Sequence, residues 1–218
     1  VNGPLVLVPV NRLDRAKGRL AEILEPGERV ALAEATLETV IDAVNGAGFR
    51  LVVLSADERV RELLGDRGCF LAENPALSGL NEQIEDALAR LDVPAEGLLI
   101  LHADLPLATA TALREFVAMA APSPSVTLQP SADGGTNAML LRPPGRFRLA
   151  YGAGSFQRHR DAAERASMEV RVAEREDLAL DLDTPADIEA LLAREDGRES
   201  RAGRLLARWG ISERIRRE

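Results

Sequence analysis

Short runs of apolar, often β-branched residues alternate along the chain with longer segments whose apolar residues recur every three or four positions. The first run, LVLVPV (residues 5–10), is fully apolar, the pattern of a strand buried on both faces. After a polar loop, PGERVALAEATLETVIDAVNGAG (26–48) predicts a helix, with Pro26 near its start and glycines at its end. RLVVLS (50–55) predicts a strand, DERVRELL (57–64) a short helix and CFLAE (69–73) a third strand. LSGLNEQIEDALARL (77–91) is helical, and GLLILHAD (97–104) is a strong strand. ATALREFVAMA (110–120) predicts a helix, SVTLQPS (125–131) and AMLLRP (138–143) strands, and SFQRHRDAAERA (155–166) a helix. MEVRVAE (168–174) closes the strands and TPADIEALLAR (184–194) is a further helix. Such alternation predicts an α/β fold with a mostly parallel sheet and helices on both faces. Ligands in such folds bind at the carboxyl ends of the strands, so the loops after the strands hold the candidate chemistry.

Composition narrows the function classes. A single cysteine, Cys69, excludes an internal disulfide framework. No apolar run approaches the ~20 residues that span a bilayer. The first residues lack the basic and apolar regions of a signal peptide, so the expected location is the cytoplasm, with no membrane partner. The net charge of −8 argues against a nucleic-acid partner. Two histidines, His102 and His159, are too few for a zinc site built on several histidines and cysteines. Residues 197–218 carry seven arginines and three glutamates, a net +4 that leaves the preceding residues at −12. The chain therefore divides into an expected domain, 1–196, and a basic C-terminal appendage, 197–218, whose Leu205, Leu206, Trp209, Ile211 and Ile215 suit a docked helix. Of 27 basic residues only Lys17 is a lysine, which singles it out in an arginine-rich chain.

Five loops carry chemistry. Asn11 to Leu20 follows the first strand and holds Arg12, Arg15, Lys17 and Arg19, a concentration of cations suited to a polyphosphate or to a solvated basic loop. In HADLP, Asp104 ends a buried strand where a carboxylate can reach magnesium, while His102 reads as a core histidine. A capping role for Asp104 is weakened because the next helix begins near Thr109, five residues on. Asp133-Gly134-Gly135-Thr136-Asn137 combines a hairpin turn with hydrogen-bonding side chains that can face a ligand. Tyr151-Gly152-Ala153-Gly154-Ser155 leads into a helix with Ser155 in the N-cap position, where free N–H groups attract an anion. In Asp181-Leu182-Asp183-Thr184-Pro185, alternate strand residues point the same way, so Asp181 and Asp183 can share one metal, or Asp183 can cap the following helix.

Taken in order, VPVNRLDRAKGRL, SGLNEQI, HADLP, GGTNAMLLRP, GAGSFQRH and LDLDTPADI resemble the 2-phospho-L-lactate guanylyltransferase family of coenzyme F-420 biosynthesis, whose bacterial relatives use phosphoenolpyruvate. The resemblance runs from about Val6 to Leu192; Ala153 stands where relatives usually have proline. It implies a three-layer α/β/α nucleotidyltransferase fold of the kind shared with nucleotide-diphospho-sugar enzymes. It implies GTP and a phosphorylated three-carbon acid as partners, with the acid on Thr136, Gly152 and Ser155. It implies Mg2+ on Asp104, Asp181 and Asp183, nucleotide phosphates on Lys17 and Arg15, and the nucleoside on Asn81. In that reading Lys17 and Asp104 are catalytic. Two rivals are weighed against it. Molybdenum-cofactor and sugar-phosphate nucleotidyltransferases usually carry a glycine-rich first loop, which Asn11 to Ala16 replaces here. A non-catalytic nucleotide-binding protein is expected to have lost the acidic residues that this chain keeps.

Overall fold

The computed structural model describes residues 3–215. Seven strands form one sheet: β1 (Leu5–Pro9), β2 (Arg50–Ser55), β3 (Cys69–Ala72), β4 (Leu98–Leu101), β5 (Ser125–Pro130), β6 (Thr136–Arg142) and β7 (Glu169–Val172), in the order β3-β2-β1-β4-β6-β5-β7. Only β6 runs against its neighbours, β4 and β5; the other ladders are parallel.

Alternation along each strand builds the three layers. Val6, Val8, Leu99 and Leu101 face α1 (Pro26–Ala47), α2 (Glu58–Leu64) and α4 (Ala110–Ala118) in one apolar cluster. Leu5, Leu7, Leu98 and Ile100 face α3 (Leu80–Arg90) and α5 (Ser155–Arg165) in a second. Residues one apart on a strand thus enter opposite cores, which is why the inner strands are apolar without a break.

Local signals set the helix ends. Helix α1 opens with Pro26 in its first turn and a reciprocal Glu25/Glu28 capping box, and closes on Gly48 at φ 79°. The helix after Asp183 is α7 (Pro185–Ala193), and its cap is Thr184, in a box with Asp187. The capping alternative for Asp183 is therefore wrong, because the neighbouring hydroxyl fills that place. Nor is there a strand at Asp181–Asp183. A short helix, α6 (Glu176–Ala179), not expected from the sequence, precedes an irregular segment anchored by Leu182 N–H on the Asp104 carbonyl at 3.3 Å.

The described residues close with α8 (Glu195–Glu199), α9 (Arg201–Arg208) and α10 (Ile211–Ile215). Ala202, Leu206 and Ile211 enter a third apolar cluster with Leu20, Leu32, Leu107 and Leu182. The Arg214 guanidinium donates to both Glu28 oxygens at 2.6 and 2.9 Å, tying this segment to the start of α1. Arg216, Arg217 and Glu218 of the basic tail lie outside the described residues.

Candidate active site

The carboxyl ends of β1 and β4 lie side by side, so the loops after them meet. The first loop winds into two single-turn 3-10 helices, Leu13–Arg15 and Gly18–Leu20, with Lys17 between them. Lys17 has φ 56° and ψ 36°, a left-handed conformation that costs a non-glycine residue about 1–2 kcal/mol. Its side chain is only 4% exposed, and its Nζ donates to Asp104 Oδ2 at 2.9 Å and to Asp183 Oδ1 at 3.1 Å. Strain at one backbone position is thus matched by a buried charge between two carboxylates.

The electrostatics follow from that arrangement. Burial pulls the Lys17 ammonium toward neutrality, but Asp104 and Asp183 outweigh it and hold its pKa above the usual value. Burial pushes Asp104 up, and the Lys17 ammonium outweighs it, so Asp104 stays ionised. Asp181 has no ammonium partner. Burial, followed by the charge of Asp104, raises it to about 6, against the hydrogen bond from Asn137. Asp104, Asp181 and Asp183 each place a carboxylate oxygen within 4.8 Å of the other two. Asp104 Oδ1 is buried with no hydrogen-bond partner. Three hard oxygen donors with one orphaned oxygen fit a divalent cation such as magnesium.

A cavity of about 500 Å³ opens beside this cluster, walled in part by Asn11, Arg15, Lys17, Gln83, Asp104 and Asp183. Arg15 is exposed on that wall. Thr136, Gly152, Ser155 and Asn81 are not part of the wall. Thr136 and Ser155 are buried and touch one another, Ser155 Oγ donating to Thr136 Oγ1 at 3.1 Å. Ser155 is the first residue of α5 rather than its cap; Gly154, at φ 67°, takes the cap position. Gly152 at φ 119° occupies backbone space that other residues rarely enter. Thr136 and Asn137 begin β6 rather than lying in the turn before it.

Two amide side chains tie loops of the site to one another. Both ends of the Asn81 amide are engaged by one residue: Tyr151 N–H donates to its Oδ1 at 2.7 Å, and its Nδ2 donates to the Tyr151 carbonyl at 3.2 Å. Asn81 therefore holds the Gly152 loop through the backbone of Tyr151. Asn137 Nδ2 donates to the Leu178 and Ala179 carbonyls at 3.1 and 3.0 Å and reaches Asp181 Oδ1 at 3.4 Å. It faces the irregular segment before α7 and thereby sets the position of one carboxylate.

Residues 5–216 match the family described as "Guanylyl transferase CofC like". The phosphoenolpyruvate guanylyltransferase of Rubrobacter xylanophilus is 41% identical over 193 residues, 86% of this chain and 92% of that one. The chain belongs to this guanylyltransferase family. The 2-phospho-L-lactate guanylyltransferase of Haloarcula marismortui is 36% identical over 185 residues, covering 83% and 82% of the two chains. In fold, the chain matches a crystal structure from Desulfovibrio desulfuricans G20 assigned to the nucleotide-diphospho-sugar transferases, with TM-score 0.74 and 18% identity over 96% of each chain. The three-layer nucleotidyltransferase architecture is therefore the observed one.

In this CofC-like chain, two positioning side chains escaped the sequence reading. Asp57 caps α2 through Arg59 N–H at 3.0 Å and also accepts Leu13 N–H at 2.9 Å, anchoring the Lys17 loop from β2. Its capping role is visible from the helix that follows, but the bond across 44 residues is not. His159 was one of two histidines, yet nothing in its spacing marked it. It is buried and bridges Ala150 and Thr136.

Proposed function

We propose that this enzyme, a guanylyltransferase, transfers GMP from GTP to the phosphate of phosphoenolpyruvate, releasing pyrophosphate, in coenzyme F-420 biosynthesis; 2-phospho-L-lactate is the alternative acceptor. The observation that carries this reading is the Lys17 ammonium between Asp104 and Asp183, on the wall of a cavity that Arg15 also lines. The relatives named above support the choice of guanine nucleotide and acid.

In the reaction an oxygen of the acceptor phosphate attacks the α-phosphorus of GTP. A new P–O–P linkage forms, the bond to the β-phosphate oxygen breaks, and its electrons leave with pyrophosphate. A phosphate monoester, with a second pKa near about 6, is already mostly dianionic at neutral pH, so the step needs no general base. Burial lowers both His102 and His159, which makes each ring a weaker base. Asp104, Asp181 and Asp183 would hold magnesium, which supplies charge neutralisation at the α-phosphate and the departing pyrophosphate. Lys17 and Arg15 neutralise nucleotide phosphates from the opposite loop. Thr136, Gly152 and Ser155 hold the acid, and Asn81 fixes the loop that carries Gly152. Catalysis then consists of bringing two anions into line and stabilising the charge that moves to the leaving group. We assign the enzyme to the cytoplasm, with no nucleic-acid or membrane partner. Residues 197–218 are assigned to an appendage, of which the described part, 197–215, braces α1.

Pyrophosphate release, measured with magnesium and each pairing of GTP, ATP or CTP with the two acids, tests the assignment. The expected result is turnover with GTP and phosphoenolpyruvate above every other pairing. Equal turnover with CTP or ATP, or release that does not depend on the acid, would overturn it.

A further inference from the structure

The structure assigns His159 a positioning role: by donating from Nδ1 instead of accepting there, it leaves the Thr136–Ser155 hydroxyl pair one O–H free for an anionic oxygen of the acid. The inference rests on the reading of Thr136 and Ser155 as acid-binding residues and deepens it.

The argument is a count of protons. Ala150 N–H can only donate, and it lies 2.9 Å from His159 Nε2, so that nitrogen carries the lone pair. A neutral imidazole with its lone pair on Nε2 carries its proton on Nδ1. Nδ1 is 3.1 Å from Thr136 Oγ1 and therefore donates to it. Ser155 Oγ donates to the same oxygen at 3.1 Å. A hydroxyl oxygen has two lone pairs, and both on Thr136 are now occupied, which leaves the Thr136 proton as the donor to a ligand. With the Ser155–Thr136 bond reversed, Thr136 donates to Ser155 and the Ser155 proton is the one released. Either way the pair exports one proton donor, and the match is a phosphate or carboxylate oxygen. With the opposite imidazole tautomer, Nδ1 would instead consume a hydroxyl proton and remove that donor.

The surroundings hold this state. His159 is fully buried, and Tyr151 meets its ring edge-on at 4.7 Å between centroids. Burial, followed by the positive charge of Arg158, lowers its pKa to about 4, so the ring is neutral at physiological pH. Arg158, the preceding residue, donates to the Ala150 carbonyl from Nη2 at 2.8 Å, and Asn81 holds Tyr151. The acceptor for Ala150 N–H and the donor to Thr136 Oγ1 thus belong to one rigid ring, which ties the free hydroxyl proton to the loop carrying Gly152.

Two amide variants separate the two nitrogens. His159→Gln places its amide near the Nε2 position, so it can accept from Ala150 but gives Thr136 no donor. His159→Asn places an N–H near the Nδ1 position and loses Ala150. His159→Gln should raise the KM for phosphoenolpyruvate about 2- to 10-fold, the worth of the neutral hydrogen bond that orients the pair, with the KM for GTP unchanged. His159→Asn should recover most of that loss. Equal rises in both KM values for both variants, or a wild-type acid KM in His159→Gln, would overturn the assignment. Long-range 1H–15N spectra of the unmodified protein at pH 7 should show a neutral ring protonated at Nδ1; a proton on Nε2 would overturn it whether or not the variants fold. A wild-type chain without turnover would sink the proposed reaction, leaving the tautomer to decide the proton order by itself.

Discussion

The two sides of the site use opposite kinds of polar chemistry. On the β1–β4 side, Lys17, Asp104 and Asp183 form a charged triad, and the Asp183 side chain remains 43% exposed beside an open cavity. On the β6–α5 side, Thr136, Ser155, His159 and Asn81 form a network of neutral hydrogen bonds in which the first three are buried. The difference matches what each side does in the proposed reaction. Charge that shifts during phosphoryl transfer calls for full charges placed close by. An acid already carrying its charge needs orientation, and directed neutral donors orient an anion without bringing another titrating group into the core.

That contrast can be broken at four points. The largest effect is expected from Asp104→Asn, which removes a full charge from the triad and should lower turnover by about 10²–10³ or more while circular dichroism reports an intact fold. Near-normal turnover at saturating magnesium would take Asp104 out of the metal-binding set. Next comes Lys17→Arg, which keeps the charge but replaces a compact ammonium held between two carboxylates with a planar fork. We expect turnover to fall by up to about 100-fold from misplacement, and Lys17→Ala to be worse. Wild-type kinetics for the arginine variant would show that shape is irrelevant on this side.

On the neutral side, Thr136→Val and Ser155→Ala should weaken acid binding by about 1.5–3 kcal/mol while calorimetry finds GTP binding unchanged. Equal losses for both ligands would merge the two sides. The smallest effect concerns stability. Asp181 is raised from 3.8 to about 6, so the folded chain holds a proton there that the unfolded chain has released, and this contribution to stability is lost as pH rises through that window. His159 is lowered from 6.5 to about 4, so its contribution is lost as pH falls through an overlapping window. The two slopes oppose each other, and each is read from the difference between a variant and the wild type. Asp181→Asn should raise the metal-free melting temperature at pH 7.5 by about 2–4 °C, the equivalent of about 1 kcal/mol in a domain of this size. A lower melting temperature would mean that the Asp181 charge is stabilising even without metal.

Much of this was legible before any fold. The alternation of LVLVPV, RLVVLS and GLLILHAD with three-and-four-spaced helices determined an α/β protein with a mostly parallel sheet, because a strand buried on both faces and a helix buried on one leave different periods. The lone Lys17, the strand-end Asp104 and the Asp181/Asp183 pair stood out because each combines a charged side chain with a position beside apolar structure. Tertiary structure alone decided the rest. Whether Asp183 caps a helix or meets Lys17 depends on a contact across 166 residues, whereas Thr184 caps locally. Asn81 reaches Tyr151 across 70 residues, and His159 reaches Thr136 across 23. Local sequence records propensity and periodicity, which act over a few residues. Hydrogen-bond partners, and with them the protonation state of a buried imidazole, are set only when the sheet brings distant loops to one edge.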